Sequence, residues 1–333
     1  MYSVISPNLS RVKGSLARTM SSLSSGHVVQ GACWNYSLMK HVKGDHTHTS
    51  DVFKAQVVPR ENAHVDPHVP EWALVKKASN FEYITTNLQR EVNIYGLPGV
   101  ASAQCFRKMY EKIDDSTIAL EWLDTTLAEV KYRPDIRTYS IINAVLKAAF
   151  TSCLILEDYK YVNTDYKPAN ILLSNINTNR PIAKVGDLGL VVPVGELFDA
   201  QPYAMRAPEV FLGEPCTEPS QVWAVAAMLL CWIKPGLLGA WGSPLDLINE
   251  AWSMAKIKRL FPQWEIPTLE MVKEVPALQA ILPFDGETKK VDMPQQLRDL
   301  LRYILVPNPK KRPSASSVLA SKEFRDFEHY VSV

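Results

Sequence analysis

Three short signatures occur in fixed order along one stretch of this chain: Asn163-Thr164-Asp165-Tyr166-Lys167-Pro168-Ala169-Asn170, then Asp187-Leu188-Gly189, then Ala207-Pro208-Glu209. A helix-like segment at 139–156 precedes the first, and strand-like runs at 171–173 and 183–185 separate it from the second. Whatever fold uses them must therefore hold carboxylate-bearing loops between packed elements. An Asp and an Asn at the spacing of Asp165 and Asn170 could by themselves form an Asx turn. With Asp187-Leu188-Gly189 following a second strand, a lone turn no longer accounts for the pattern.

In this order and spacing the signatures resemble the catalytic core of the eukaryotic protein-kinase family: its catalytic loop, a D-L-G in place of D-F-G, and A-P-E closing the activation segment. The resemblance runs from about residue 36 to the C-terminus. It implies a bilobal α+β fold, with a small antiparallel β-sheet lobe carrying one main helix (36–123) and a larger, mainly α-helical lobe (124–333). Residues 1–35 are then a basic, serine-rich extension. Residues 1–44 contain no acid, and Leu9, Val12, Leu16, Met20 and Leu23 recur at helical spacing beside Arg11 and Arg18. That pattern fits a disordered tail or a mitochondrial presequence. A cytoplasmic location is expected on the first reading and a mitochondrial one on the second.

Apolar runs at 52–58, 71–78, 105–110 and 117–123 read as strands, and 87–96 as a helix between them. Ala73-Leu74-Val75-Lys76 aligns with the family's V-A-I-K strand, so the resemblance gives Lys76 the α- and β-phosphates of ATP; strand alternation turns Lys77 the other way. Glu91 takes the place of the glutamate that pairs with that lysine. The strand ending in Leu120-Glu121-Trp122-Leu123 resembles the hinge. Backbone groups of Glu121 to Leu123 would then bond adenine, Leu120 would close the back of the pocket, and Val52 and Leu172 would cover adenine from above and below.

The phosphate-covering loop departs from the family. Asp45, Thr47 and Ser50 fall where G-x-G-x-x-G has glycines, and only Gly44 lies nearby. A Cβ keeps the backbone N–H groups from close approach to phosphate, and Asp45 adds repulsion toward a polyanion. His41, His46, His48, His64 and His68 show no regular ligand spacing, so they are read as loop histidines rather than a metal site.

In the large lobe the resemblance makes Asp165 the catalytic base and Lys167 the residue reaching the transferring phosphate, with Asn170 and Asp187 holding Mg²⁺. Lys167 also points to serine or threonine as acceptor in a protein substrate. Asn163 and Thr164 replace the His and Arg of H-R-D, and Gln221 replaces the aspartate that leads the central helix. An arginine before the catalytic aspartate often binds a phosphorylated activation-loop residue, which Thr164 cannot do. Residues 188–206 hold no Ser or Thr, and their single hydroxyl is Tyr203. The loop is therefore expected to be ordered by packing of Leu190, Val191, Val192, Val194, Leu197 and Phe198. Glu209 and Arg312 resemble the family's buried structural ion pair. Trp241, Trp252 and Trp264 are expected to be buried in helical packing.

The net charge of +1 gives no electrostatic case for nucleic acid. The apolar run at 222–233 is too short to cross a bilayer and reads as a buried helix. Five cysteines without a C-x-x-C pair suggest neither a zinc site nor a disulfide framework. The expectation is thus a soluble, monomeric, ATP- and Mg²⁺-dependent protein kinase. A pseudokinase or nucleotide-binding scaffold is the alternative, motivated by the missing glycines, Asn163 and Gln221. A small-molecule phosphotransferase fits less well, because Ala207-Pro208-Glu209 and Arg312 mark protein-directed kinases.

Overall fold

Period-two burial organises the first lobe of the computed structural model, which describes residues 23–42, 50–60, 69–79, 81–196, 201–265 and 292–332. Strands β1 (Val28–Gln30), β2 (Trp34–His41), β3 (Asp51–Pro59), β4 (Trp72–Lys77), β5 (Met109–Asp114) and β6 (Thr117–Glu121) form one sheet in the order β1-β2-β3-β4-β6-β5, antiparallel throughout. Tyr36, Leu38, Phe53, Ala55, Val57, Ala73, Val75 and Ala119 build a core on one face. The alternate residues Leu74, Ile118 and Leu120 join the main core on the other. Lys76 shares the parity of Leu74, so alternation alone brings it to the main-core face.

Helix α1 (Glu82–Tyr95) covers that face with Ile84, Leu88, Glu91, Ile94 and Tyr95 buried along one stripe. It starts ahead of the expected residue 87. The sheet likewise starts ahead of the expected boundary at residue 36, because β1 pairs with β2 from Val28↔Ser37 to Gln30↔Asn35. The expected strand at 105–110 is displaced to β5. Its first residues bond to the second lobe instead, with Val185 N–H donating to the Cys105 carbonyl (2.8 Å) and Arg107 N–H to the Val185 carbonyl (2.9 Å). Gly44, Asp45, Thr47, His46, His48, His64, His68, Leu197 and Phe198 lie outside the described residues, as does the N-terminal segment up to residue 22.

The short helix α2 (Pro98–Ser102) precedes β5, and residues 122–124 lead from β6 into the second lobe. There β7 (Thr125–Thr126), β9 (Ile171–Ser174) and β10 (Ile182–Val185) form a small antiparallel sheet, and β8 (Tyr161–Asn163) pairs with β11 (Val191–Pro193). Helices α3 (Ile136–Asp158), α4 (Pro208–Phe211), α5 (Glu218–Ile233), α6 (Asn249–Leu260), α7 (Gln295–Ile304), α8 (Ala315–Leu319) and α9 (Lys322–Ser332) supply the bulk. The Asp135 side chain caps α3 by accepting from Thr138 N–H at 2.8 Å. Thr217 and Ser220 form a reciprocal capping box at the start of α5. Residues 220–233 of α5 are all buried, so this helix is the pillar of the lobe. By length and composition α3 could span a membrane, yet Ile142, Val145, Leu146, Ala149, Phe150 and Cys153 are in the protein core. All five cysteines are free.

Trp241 departs from expectation and is 82% exposed. Its backbone is what the fold holds: the Trp241 carbonyl accepts from Lys256 Nζ and from the Trp252 indole N–H, which leaves the ring outside. Trp252 and Trp264 are half-buried.

Glu209 on α4 and Arg312 meet in a two-pronged ion pair, with Nη1–Oε1 at 2.7 Å and Nη2–Oε2 at 2.9 Å. Arg312 also donates to the carbonyls of Pro219, Val306 and Pro307, and its guanidinium lies 5.2 Å from the Trp223 ring centroid. Glu209→Ala leaves this buried cation without its counter-charge. The expected loss is about 3–5 kcal/mol of unfolding free energy, measured by urea denaturation, and a loss under about 1 kcal/mol would contradict this account.

Candidate active site

Lys76 is the meeting point of three elements. From β4 its Nζ reaches Glu91 Oε2 on α1 at 2.7 Å and Asp187 Oδ1 in the second lobe at 3.2 Å. Burial works against the ammonium charge, but Asp187 and Glu91 outweigh it and hold Lys76 well above the ordinary lysine range. Glu91 sits fully buried in the apolar stripe of α1, and its second oxygen has no hydrogen-bond partner among the described residues. Such a carboxylate is tolerated because the lysine neutralises it.

Asp187 adopts a left-handed conformation, φ +55°, which is uncommon for a non-glycine residue. It starts a turn of 3-10 helix at Leu188–Leu190, and Leu188 is fully buried behind it. Arg90 of α1 donates to the Gly189 carbonyl at 2.8 Å and to Asn87 Oδ1 at 2.9 Å. A Cβ on Gly189 would lie 3.2 Å from the Asn87 carbonyl oxygen, so glycine permits this close packing of turn against helix.

Asp165 anchors a second cluster. Lys167 Nζ lies 3.1 Å from Asp165 Oδ2. Asn170 Nδ2 donates to the Asp165 carbonyl (2.9 Å) and to Oδ2 (2.8 Å). With its amide nitrogen committed there, the Asn170 oxygen is the atom left for a cation. Burial pushes the Asp165 carboxyl up, Lys167 pulls it back and Asp187 adds to the rise, for a net upward shift. Asp187 and Asn170 offer hard oxygen donors, the set that suits Mg²⁺ shared with phosphate oxygens. Among the described residues no three His, Cys, Asp or Glu side chains are grouped as a metal cage.

The residues that differ from the family hold the loop through neutral bonds. Asn163 Oδ1 accepts from Asp165 N–H at 2.9 Å, and Asn163 N–H donates to Gln221 Oε1 at 3.2 Å. The Thr164 hydroxyl and N–H both donate to the Leu190 carbonyl, at 2.7 and 3.3 Å. Val191 and Val192 are buried, and Leu190 and Val194 are half-buried. Tyr203 stacks on Phe211, with Arg206 over both rings.

Where an adenine base is expected, Leu120 and Leu123 are buried, and Val52 lies directly across from Lys76 in the β3–β4 ladder. Leu172 on β9 packs over Gly186, where an added Cβ would come within 2.7 Å of it. The Glu121 carboxylate is taken by Lys184 of β10, 2.7 Å to each oxygen, which fastens the interlobe connection to the second lobe. The sequence reading missed Lys184, Arg90 and Arg107. Arg107 donates from Nε to the Glu121 carbonyl at 2.6 Å. Its only signal was a charge inside an otherwise strand-like run.

Comparison with known proteins agrees with this geometry. Residues 72–324 match the family model described as protein kinase domain. The Stress-activated protein kinase JNK of Drosophila melanogaster is 24% identical over 253 residues, covering 71% of this chain and 66% of that protein. The Stress-activated protein kinase jnk-1 of Caenorhabditis elegans is 25% identical over 71% of this chain and 53% of its own length. The probable cyclin-dependent kinase 9 of Schizosaccharomyces pombe is 25% identical over 61% and 37% respectively. The aligned region thus spans between about two thirds and about one third of these relatives' own lengths. With its model matched over most of the sequence, in the bilobal α+β fold described above, this chain belongs to the protein kinase domain family.

Proposed function

We propose that this chain transfers the γ-phosphate of a purine nucleoside triphosphate, ATP being the donor the resemblance implies, to serine or threonine hydroxyls of protein substrates. The observation that carries this reading is the single lysine shared by Glu91 and Asp187, beside a loop that groups Asp165, Lys167 and Asn170. Phosphoryl transfer needs positioned charge more than covalent help. In this reading Lys76, fixed by Glu91, neutralises the inner phosphates, while Asp187 and the Asn170 oxygen hold Mg²⁺. When bound, Mg²⁺ supplies neutralising charge to the phosphate oxygens. Asp165 accepts or orients the proton of the acceptor hydroxyl, and Lys167 bridges between that carboxylate and the transferring group. Leu123 offers backbone groups to the base between Val52 and Leu172, in front of Leu120, whereas the expected contact from Glu121 is pre-empted, its N–H donating to the Lys108 carbonyl and its carbonyl accepting from Arg107 Nε.

The test is incorporation of labelled phosphate into a generic protein substrate with Mg²⁺ and either ATP or GTP. Asp165→Ala and Asp187→Ala should each reduce the rate by a hundredfold or more, about 3 kcal/mol of transition-state stabilisation. Equal incorporation by both variants and the parent chain would rule out the enzymatic reading.

The raised carboxyl of Asp165 sets a pH signature. A base must be ionised, so activity falls as pH drops through its pKa, and here that limb lies above the ordinary aspartate range near about 3.9. Lys167 opposes the rise. Lys167→Met therefore removes a charge that favours the ionised form, and the acid limb of kcat/KM should move to higher pH. A limb that stays in place or moves down would show that Asp165 is not the titrating base.

A further inference from the structure

Arg107 is a cation beside residues assigned to the base, Val52, Leu120, Leu123 and Leu172, that are all aliphatic. Its main chain is bonded to Val185, its Cδ lies 3.6 Å from the point where a Cβ on Gly186 would sit, and its Nε donates to the Glu121 carbonyl at 2.6 Å. The side chain therefore runs from the residue before Asp187, beside Leu172, to the end of β6, along the base end of the proposed nucleotide site. Only 8% of it is exposed. Burial disfavours its charge, while Tyr95, Glu91, Glu121 and Asp187 act electrostatically to favour it. Among the described residues neither terminal nitrogen has a hydrogen-bond partner, and neither is sealed from solvent.

We infer that Arg107 selects the purine, favouring one with a carbonyl at C6 over adenine. This rests on the cleft being a nucleotide site. The 6-amino group of adenine is a donor and would seek the carbonyl at the end of β6. Arg107 already donates to that oxygen, and its remaining N–H groups would face the amino group donor to donor. A 6-oxopurine presents two acceptors side by side, O6 and N7. A planar guanidinium matches such an edge with two parallel hydrogen bonds. The terminal N–H groups of this mostly buried cation are free to exchange solvent for paired acceptors, and this edge supplies them without disturbing the bond to Glu121. A valine or leucine at the same place would be indifferent to the C6 substituent. The discrimination is therefore assigned to the guanidinium and not to the shape of the pocket.

The test uses the full chain and compares Mg²⁺ complexes of GDP, IDP and ADP by calorimetry. IDP carries the C6 carbonyl without the 2-amino group of guanine, so it isolates the contact. GDP and IDP should both bind the parent chain about tenfold more tightly than ADP, or better. Arg107→Met should abolish that order, and Arg107→Lys, which keeps the charge but not the fork, should lose most of it. ADP binding to the parent chain as tightly as IDP overturns base selection while leaving the nucleotide site standing. A parent chain that binds no nucleotide, with Arg107→Met gaining ADP, would show that the guanidinium blocks the subsite, which also overturns the selection. No binding of any nucleotide by either protein, both folded by thermal melt, sinks this inference together with the nucleotide site.

Discussion

The position of Lys76 between Glu91 and Asp187 is the constraint on which the interlobe arrangement depends. One ammonium group joins a sheet strand, the helix packed on that sheet and a turn of the second lobe. Glu91 is buried and Lys76 nearly so, and a carboxylate or ammonium taken out of water without a partner costs several kcal/mol. Each element is therefore held where it is by the charge on the others. Arg90, bonded to Gly189 and Asn87, adds a second tie between the same helix and the same turn.

How much of this was legible in the sequence follows from how local each determinant is. Lys76 was readable because Ala73-Leu74-Val75 fixes the parity of β4, and parity decides which lysine turns toward the main core. Glu91 was readable because it lies on the apolar stripe of α1. The start of α1 was not, since Phe81 supplies no side-chain cap to mark it. The Cys105 stretch reads as a strand in its own lobe, but its backbone partner is Val185, and no local pattern announces a bond across the lobes. Trp241 reads as core because it is large and apolar. Its carbonyl, invisible to hydropathy, is the group that the fold retains.

Arg107, Lys184 and the side-chain role of Glu121, whose backbone alone was assigned to the hinge, escape sequence reading for a related reason. Lys184 alternates out of an apolar run, Ala183 and Val185, as a surface lysine on an edge would, and Glu121 ends a strand as a solvent-facing acid would. Only the approach of β10 to the end of β6 turns them into a pair with both oxygens engaged. That pair pins the connection between the lobes by its side chain, while Arg107 occupies its carbonyl. The chemistry of this corner is thus set by contacts between segments far apart in sequence.

The three departures from the family's catalytic-loop pattern share a physical character. Asn163, Thr164 and Gln221 are all neutral, and each makes a hydrogen bond that positions the backbone around Asp165. A neutral bond of this kind contributes about 0.5–1.5 kcal/mol, less than its charge-assisted counterpart, but it needs no buried counter-ion. The loop therefore keeps its shape with fewer buried charges, its own charged side chains being Asp165 and Lys167. Thr164, bonded to the Leu190 carbonyl, ties the start of the following segment directly to the loop. An arginine at that place would await a phosphate to do the same. The anchoring of Leu190 to the loop consequently needs no added charge, because Thr164 supplies both bonds from the loop itself.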